Sequence, residues 1–499
     1  MSYFVVGVGG SGAKLMHSLV HLSAAGLLPD GGRTLLGYLV DPDESNGSVH
    51  ECSQVAALYS RCKGLQIGSK TSLFKNRIEL TGPLSPVEGQ DVANLNSFFD
   101  YTSLSRTSPD EAALMELLFS PAERELKILQ GFRGRPAIGA TVFGKTVDFE
   151  DADWKKLGER ALAARTHAAV PLLLAGSVFG GSGAAGVPTI CRLLSQHLRA
   201  KIDNLRVGLI LFLPYFTYDP VPGEPMQADP HQFPSATAEA LKYYDEGDFL
   251  DFCDEIYALG ERYPAKMPRS SVGAKEQRNP PHFLEMIAGL GAVRFLGGTP
   301  IEDAEHVVSL AARAHENTLQ WADLPTAAGE HPSQTAKLQQ MILFAVAYHY
   351  VLYPTIESGD RNNPILDHLE DVPGHDAAED LAAVDAYLVA FLSWLLSIST
   401  PERAEAPAVF SPGLVDPDVF AVRDGYGWRL KTRKVAARKG GGEGEFREKD
   451  IGRLFRNLET KVQPNLRDIH RSSNTAVQDP DARGAGKLVR AIYDACKLA

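Results

Sequence analysis

Two glycine-rich turns hold the residues best suited to chemistry in this chain. "YFVVGVGGSGAK", residues 3–14, sets Gly7, Gly9 and Gly12 in a G-x-G-x-x-G spacing, with Gly10 and Ser11 between them. "LLAGSVFGGSGAAGVP", residues 173–188, sets Gly180, Gly181, Ser182, Gly183 and Ala184 ahead of Pro188. Each follows a strand-like apolar run and precedes a helical pattern. Glycine lets the backbone turn sharply and approach an anion with no Cβ in the way. A helix that starts at such a turn offers free N–H groups and a partial positive charge to a phosphate. One turn of this kind fits a dinucleotide, with Asp41 closing the second strand-like run and placed to accept a ribose hydroxyl. Two turns on one crevice supply two sets of backbone donors, which suits the phosphate chain of a nucleoside di- or triphosphate. A Walker-type loop is excluded, because Gly12-Ala13-Lys14-Leu15 lacks the hydroxyl residue that follows the lysine in that motif. A dinucleotide oxidoreductase is the rival class, but it shows no proton-transfer constellation.

The elements that must position these turns alternate. "SYFVVGV", "RTLLGYLVD", "VPLLLAGSV" and "RVGLILFLPYF" are strand-like, and "AKLMHSLVHLSAAGLL" and "PTICRLLSQHLRA" have helical spacing. Strands apolar on both faces, each followed by a helix, predict an α/β fold: a Rossmann-like parallel sheet covered on both sides, followed by a mostly helical C-terminal region. "SATAEALKYYDEGDFLDFCDEIYAL" reads as one helix, and so does "HFLEMIAGLGAVRFLGG". Beyond residue 300, helices are expected over 302–321, 334–353 and 376–399, then short β or irregular structure over 401–432. The division expected is 1–240 for nucleotide binding, 241–300 for a central helix and catalytic loop, and 301–436 for a helical or α+β second domain. A flexible linker is expected at 437–449 and a basic helical tail at 450–499.

Composition is that of a globular chain, with 44% hydrophobic and 22% charged residues. The five cysteines show no paired metal spacing and read as reduced thiols, so a cytoplasmic protein without a structural metal is expected. No leader pattern is visible at the start, and the apolar run from Ala386 to Ser399 is short for a bilayer, so no membrane insertion is expected. Residues 429–499 hold 17 Lys and Arg against 9 Asp and Glu, a net of +8, which leaves −20 for residues 1–428. That asymmetry suggests a protein partner for the basic end, with nucleic acid less expected.

The order of these segments resembles the tubulin/FtsZ superfamily of GTPases, nearest its divergent bacterial tubulin-like members. "FGGSGAAGVP", Phe179 to Pro188, is similar to the FtsZ phosphate loop GGGTGTGAAP, with Ser182 at its threonine and Ala185 at its last glycine. "GVGGSGAK" resembles the first nucleotide loop GVGGGGGN, with Lys14 at the asparagine. "LVDPDESNG" resembles the stretch after the second strand, and "ILFLPYF" the proline-aromatic turn, although "TYDPVPG" replaces the Glu-Gly that follows it in FtsZ. "PPHFLEMIAGLGAVRFL" matches a PHxxE stretch of the tubulin-like group. The likeness covers residues 1–300.

The resemblance implies GTP or GDP, with Mg²⁺, held by Gly9, Gly10, Ser11, Gly12, Asp41, Asp43, Gly180, Gly181, Ser182, Gly183 and Ala184. Arg133 and Arg135 fall where the family has its γ-phosphate loop, and guanidinium groups suit phosphate oxygens. It also implies head-to-tail self-association as a homo-oligomer or filament. The acid that orients water on the neighbouring subunit's nucleotide then falls to Glu285, with His282 as a base or a change of charge beside it. Slow GTP hydrolysis is one outcome, and a nucleotide-gated interaction module without turnover is the other. Tyr243 and Tyr244 are candidates to stack on the base or to fill core. Guanine and adenine are not separated by these residues.

Overall fold

The computed structural model describes residues 2–29, 32–87, 93–166, 169–219, 228–246, 248–261, 264–267, 279–298, 307–311, 318–325, 331–358, 364–369, 372, 376–400, 411–424, 427–433, 444–456, 458, 464–474, 477 and 479–498. In chain order its principal elements are β1 (Ser2–Val8), α1 (Gly9–Ala24), β2 (Thr34–Val40), α2 (Gly47–Lys63), β3 (Arg77–Leu84), α3 (Pro136–Thr146), β4 (Val170–Ser177), α4 (Ser182–Arg199), β5 (Leu205–Phe212), β6 (Glu255–Leu259), α5 (Phe283–Gly297), β7 (Val307–Ala311), α6 (His331–Ala347), α7 (Ala377–Ser399) and α8 (Gly484–Ala495). The strands form one sheet in the order β3-β2-β1-β4-β5-β6-β7, every pairing parallel. The chain first winds outward from β1 to β3 and then returns to extend the other side of β1 from β4. The gap between the C-terminal ends of β1 and β4 is therefore the topological switch point, where open α/β sheets hold ligands.

Side-chain alternation explains why the strands read as continuous apolar runs. Tyr3 and Val5 pack into one core while Phe4, Val6 and Val8 pack into the other. Leu35 and Leu39 likewise oppose Leu36, Tyr38 and Val40. Helices α1, α2 and α5 cover the first face, and α3, α4 and the helix Ala152–Ala163 cover the second. Both faces are dry, so neither face of a strand needs polar residues.

Several elements differ from the sequence expectation. The segment read as the tail of one long helix contains β6, because its alternating "EIYAL" pairs with β5. The helix expected over 302–321 is replaced in part by β7, whose paired valines suit an extended edge beside β6. The sheet thus runs past the boundary expected at residue 240, which itself lies inside the helix Phe233–Glu246. The expected helices at 334–353 and 376–399 correspond to α6, continued by a π-helical turn at Tyr348–Leu352, and to α7.

Part of the expected linker lies outside the described residues. The described part is folded, with Phe446 stacked on Tyr350 at 4.5 Å and 9° between ring planes. Nor does the described part of 450–499 project as a tail. Leu488, Val489 and Ile492 of α8 are fully buried, and Arg490 is itself buried and paired with Asp479 and Asp494. The Arg483 N–H donates to the Gln66 carbonyl (2.9 Å), tying this end of the chain to the first half. Helix α7 is the one described helix long and apolar enough to cross a membrane, and 67% of its most apolar stretch is buried in the core against α2 and α6. All five cysteines are free and buried.

Candidate functional site

Both glycine turns are the first turns of helices. Helix α1 starts at Gly9 and α4 at Ser182, each with no side chain capping its N-terminus. Helices α2, α5 and α7 are capped by Asn46, His282 and Asp376, while α3 and α8 also lack a side-chain cap but do not meet another helix start at the switch point. An uncapped N-terminus leaves several N–H donors without an intrahelical partner. Two such ends meet here, since a Cβ on Gly9 would lie 3.4 Å from the Gly183 nitrogen. Pro188 sits well inside α4 and not at its first turn, so the helix begins earlier than the proline suggests.

A third turn joins them. Gly131 (φ +86), Arg133 (φ 45) and Gly134 (φ +75) hold left-handed backbone, and a Cβ on Gly181 would strike the Arg133 and Gly134 nitrogens at 3.0 Å. Successive N–H groups in such a turn form a concavity suited to anions. The crevice enclosed by these turns has a volume of ≈ 180 Å³ and also receives Lys14, Asp41, Asn46 and Ser48. An aromatic side is added by Phe179, Tyr215, Phe216, Tyr218 and Phe233, whose rings pack edge to face or tilted, with Phe179 and Phe233 at 4.8 Å.

Most of the expected binding residues converge on this crevice. Gly9, Gly10, Ser11, Asp41, Gly180, Gly181, Ser182 and Gly183 line it. Gly12, Asp43, Ala184 and Arg135 do not. Gly12 serves packing, since a Cβ there would meet the Gly7 carbonyl carbon at 2.5 Å and the Ala175 oxygen at 2.7 Å. Asp43 turns its Oδ1 to the N–H and hydroxyl of Ser45. Arg135 reaches the Arg133 carbonyl (3.1 Å) and Glu123 (3.5 Å), leaving Arg133 in the wall. Tyr244 is core and Tyr243 faces solvent, so the aromatic wall comes from the run Tyr215–Tyr218 instead. As binding residues, Lys14, Asn46, Ser48 and the aromatic run escaped the sequence reading, whereas the turn at Gly131–Gly134 was legible through Arg133 and Arg135. "FLPYFTY" and the closely spaced Gly131 and Gly134 were the available signals.

Asp41 is 3% exposed, and its oxygens accept the Asp43 N–H (2.9 Å) and the Asn46 amide (3.2 Å). Burial raises its pKa to about 7, and the Asp43 charge adds to the rise. It is the one acid among the described lining residues, and no described cluster of three or more His, Cys, Asp or Glu is placed to hold a metal. These residues fit Mg²⁺ only as Mg²⁺ is usually held on phosphates, through water and a single carboxylate.

Glu285 and His282 do not line the crevice; both are buried and meet it through Lys14 and Tyr215, which do. Glu285 is 1% exposed, with Oε1 accepting from Lys14 Nζ (3.0 Å) and from the Tyr215 hydroxyl (3.0 Å). Its Oε2 accepts the His282 N–H (2.9 Å), while His282 Nδ1 accepts the Leu284 N–H (3.1 Å) in a capping box. Lys14 also donates to the Pro280 carbonyl at 3.2 Å. Burial first, and the Glu285 charge second, push the Tyr215 phenol well above its usual range, so it remains a donor. An acid that must meet a neighbouring subunit's nucleotide needs exposure. Glu285 instead ties α5 to α1 beneath the crevice floor.

No protein-family model matches the chain, and no curated protein matches it.

Proposed function

We propose that the protein binds a purine nucleoside triphosphate, GTP by resemblance to the tubulin/FtsZ superfamily, with the phosphates in the crevice between α1 and α4. The observation that carries this reading is the meeting of two uncapped helix N-termini at the switch point of a parallel sheet. The backbone N–H groups at Gly9–Ser11 and Ser182–Gly183 supply donors, Lys14 and Arg133 supply cationic groups, and the Phe179–Tyr218 aromatics supply a surface for a base. Mg²⁺ would accompany the phosphates with Asp41 as its nearest carboxylate. The strand order is shared with dinucleotide folds, but a dinucleotide site does not call for the second uncapped end.

Head-to-tail self-association with GTP at the contact belongs to this proposal, with turnover slow. Burial of Glu285 favours the form in which nucleotide gates an interaction. Filling the crevice draws on Lys14, Lys14 holds Glu285, and Glu285 caps α5, which runs through the core to α7. Chromatography of nucleotide released from denatured protein tests the reading. A guanine nucleotide near one equivalent supports it, a nicotinamide or flavin overturns it, and an adenine nucleotide changes the base but not the site.

A further inference from the structure

A second cavity, of ≈ 710 Å³, opens at the opposite end of the sheet from the glycine crevice. Its walls are the chain after α1 (Gly26–Pro29), the loop leading into β3 (Lys70–Asn76), the C-terminal turn of α5 (Val293, Gly297) and the first turns of α6 (Gln334, Lys337). The volume falls in the range of small-molecule sites, ~300–1,000 Å³.

Its charge is one-sided. Lys70, Lys75 and Lys337 line it, and none of its described lining residues is acidic. Neither Lys75 nor Lys337 forms an ion pair with any described residue. Lys63 stands close behind, and burial together with the Lys75 charge lowers its pKa. Asp479 stands beside Lys70, accepting its backbone N–H at 2.9 Å, but among the described residues Lys75 and Lys337 have no such acid, and a multivalent anion supplies the missing counter-charge. The N-terminal end of α6 adds its partial positive charge to the same wall. Uncharged polar groups are present as well. Thr71 and Gln334 are buried, and Asn76, 1% exposed, leaves its Oδ1 without a hydrogen bond.

The walls are held in place by close backbone approaches. Gly26 takes a left-handed conformation (φ +74), and a Cβ there would meet the Ser72 Cβ at 2.3 Å. A Cβ on Gly297 would meet Pro29 Cγ at 2.3 Å. Between Lys70 and Lys75, Phe74 holds φ 47 while its ring anchors against Tyr59 and Tyr387. The lysine loop is thus pinned on both sides.

We propose that this cavity binds a phosphate-bearing polyanion, with Lys70, Lys75 and Lys337 as its cationic contacts. Two sources share that chemistry: a free phosphorylated small molecule, and the phosphates of a nucleotide carried by a second copy of this chain. The second source rests on the nucleotide reading above; the first does not.

Acetylation of lysines, read residue by residue by mass spectrometry, tests the proposal with tripolyphosphate as the probe. At tenfold excess over its dissociation constant, bound anion should slow modification of Lys75 and Lys337 by roughly tenfold, with surface Lys155 unchanged. Repeating the measurement in Gly181→Ala, which disrupts the glycine crevice and not this cavity, separates the two sites, so failure of one is not mistaken for failure of the other. A Lys75→Gln/Lys337→Gln variant, altered only at residues exposed or half-exposed, should keep its thermal midpoint and lose the protection at Lys70. Equal slowing at Lys155, or none at Lys75 and Lys337, overturns the proposal. Protection that appears without added anion, only on concentrating nucleotide-loaded protein, assigns the phosphates to a second copy. Protection that needs added anion at every protein concentration assigns them to a free ligand.

Discussion

Lys14 Nζ and Glu285 Oε1 stand 3.0 Å apart, both side chains almost wholly buried, joining the first turns of α1 to the first turn of α5. Each charge is tolerable out of water only because the other is there. Removing one partner of such a pair leaves an uncompensated buried charge and typically costs about 3–5 kcal/mol. Glu285→Ala should therefore destabilise the fold by about that amount, measured by chemical denaturation. Lys14→Met/Glu285→Gln should recover most of the loss. A Glu285→Ala variant of ordinary stability that lost only nucleotide turnover would instead restore Glu285 as an acid acting across a subunit contact.

The turn at Gly131–Gly134 closes on Gly181 without room for a side chain. Gly181→Ala places a methyl group 2.9–3.0 Å from backbone atoms of Phe132, Arg133 and Gly134, forcing the third turn away from the crevice. Nucleotide affinity should fall at least tenfold, about 1.4 kcal/mol. Gly32→Ala, with open space around its Cβ, is the control and should bind as the parent does. Titration calorimetry on the two variants decides it, and unchanged affinity in Gly181→Ala would place the ligand elsewhere.

Asp41 makes stability depend on pH in a set direction. Its folded pKa, about 7, lies above the 3.8 usual for an aspartate, so the fold favours the neutral carboxyl. Its contribution to stability is fully present below about pH 4 and is lost as pH rises through about 7. Relative to Asp41→Asn, the parent should lose stability between those limits, by roughly 4 kcal/mol at most. Parallel denaturation curves at pH 4, 6 and 8 measure the slope. A difference that is flat with pH, or one that grows in favour of the parent as pH rises, contradicts the assignment.

How much of this was legible in the sequence depends on the reach of the signal. Residues 3–14 and 173–188 carry a local pattern, an apolar run broken by glycines, and that pattern sufficed to bring Gly9 and Gly183 to one crevice. The sheet was legible where strands were long and apolar, as at Leu205–Phe212. It was not at Glu255–Leu259 or Val307–Ala311, where five-residue strands lie in helix-like surroundings and only pairing with a neighbour settles their state. Lys14 and Glu285 are 271 residues apart, and nothing local marks either as the other's partner. Resemblance alone placed Glu285 at a subunit contact. The fold places it under the site, because α5 packs along α1 with its capped end at the crevice. The net basic charge of the C-terminal end suggested a projecting segment, but the Leu488, Val489 and Ile492 face of α8 has an apolar surface to bury, and burial of that face decides where the helix lies.

The central claim is that two helix N-termini left without side-chain caps hold a triphosphate. Titration of magnesium-GTP into nucleotide-stripped protein, with inorganic tripolyphosphate as competitor, tests it most directly. One saturable site is expected, at which tripolyphosphate displaces GTP and which Gly181→Ala abolishes. The absence of saturable nucleotide binding to folded protein, or binding that Gly181→Ala leaves intact, would contradict it.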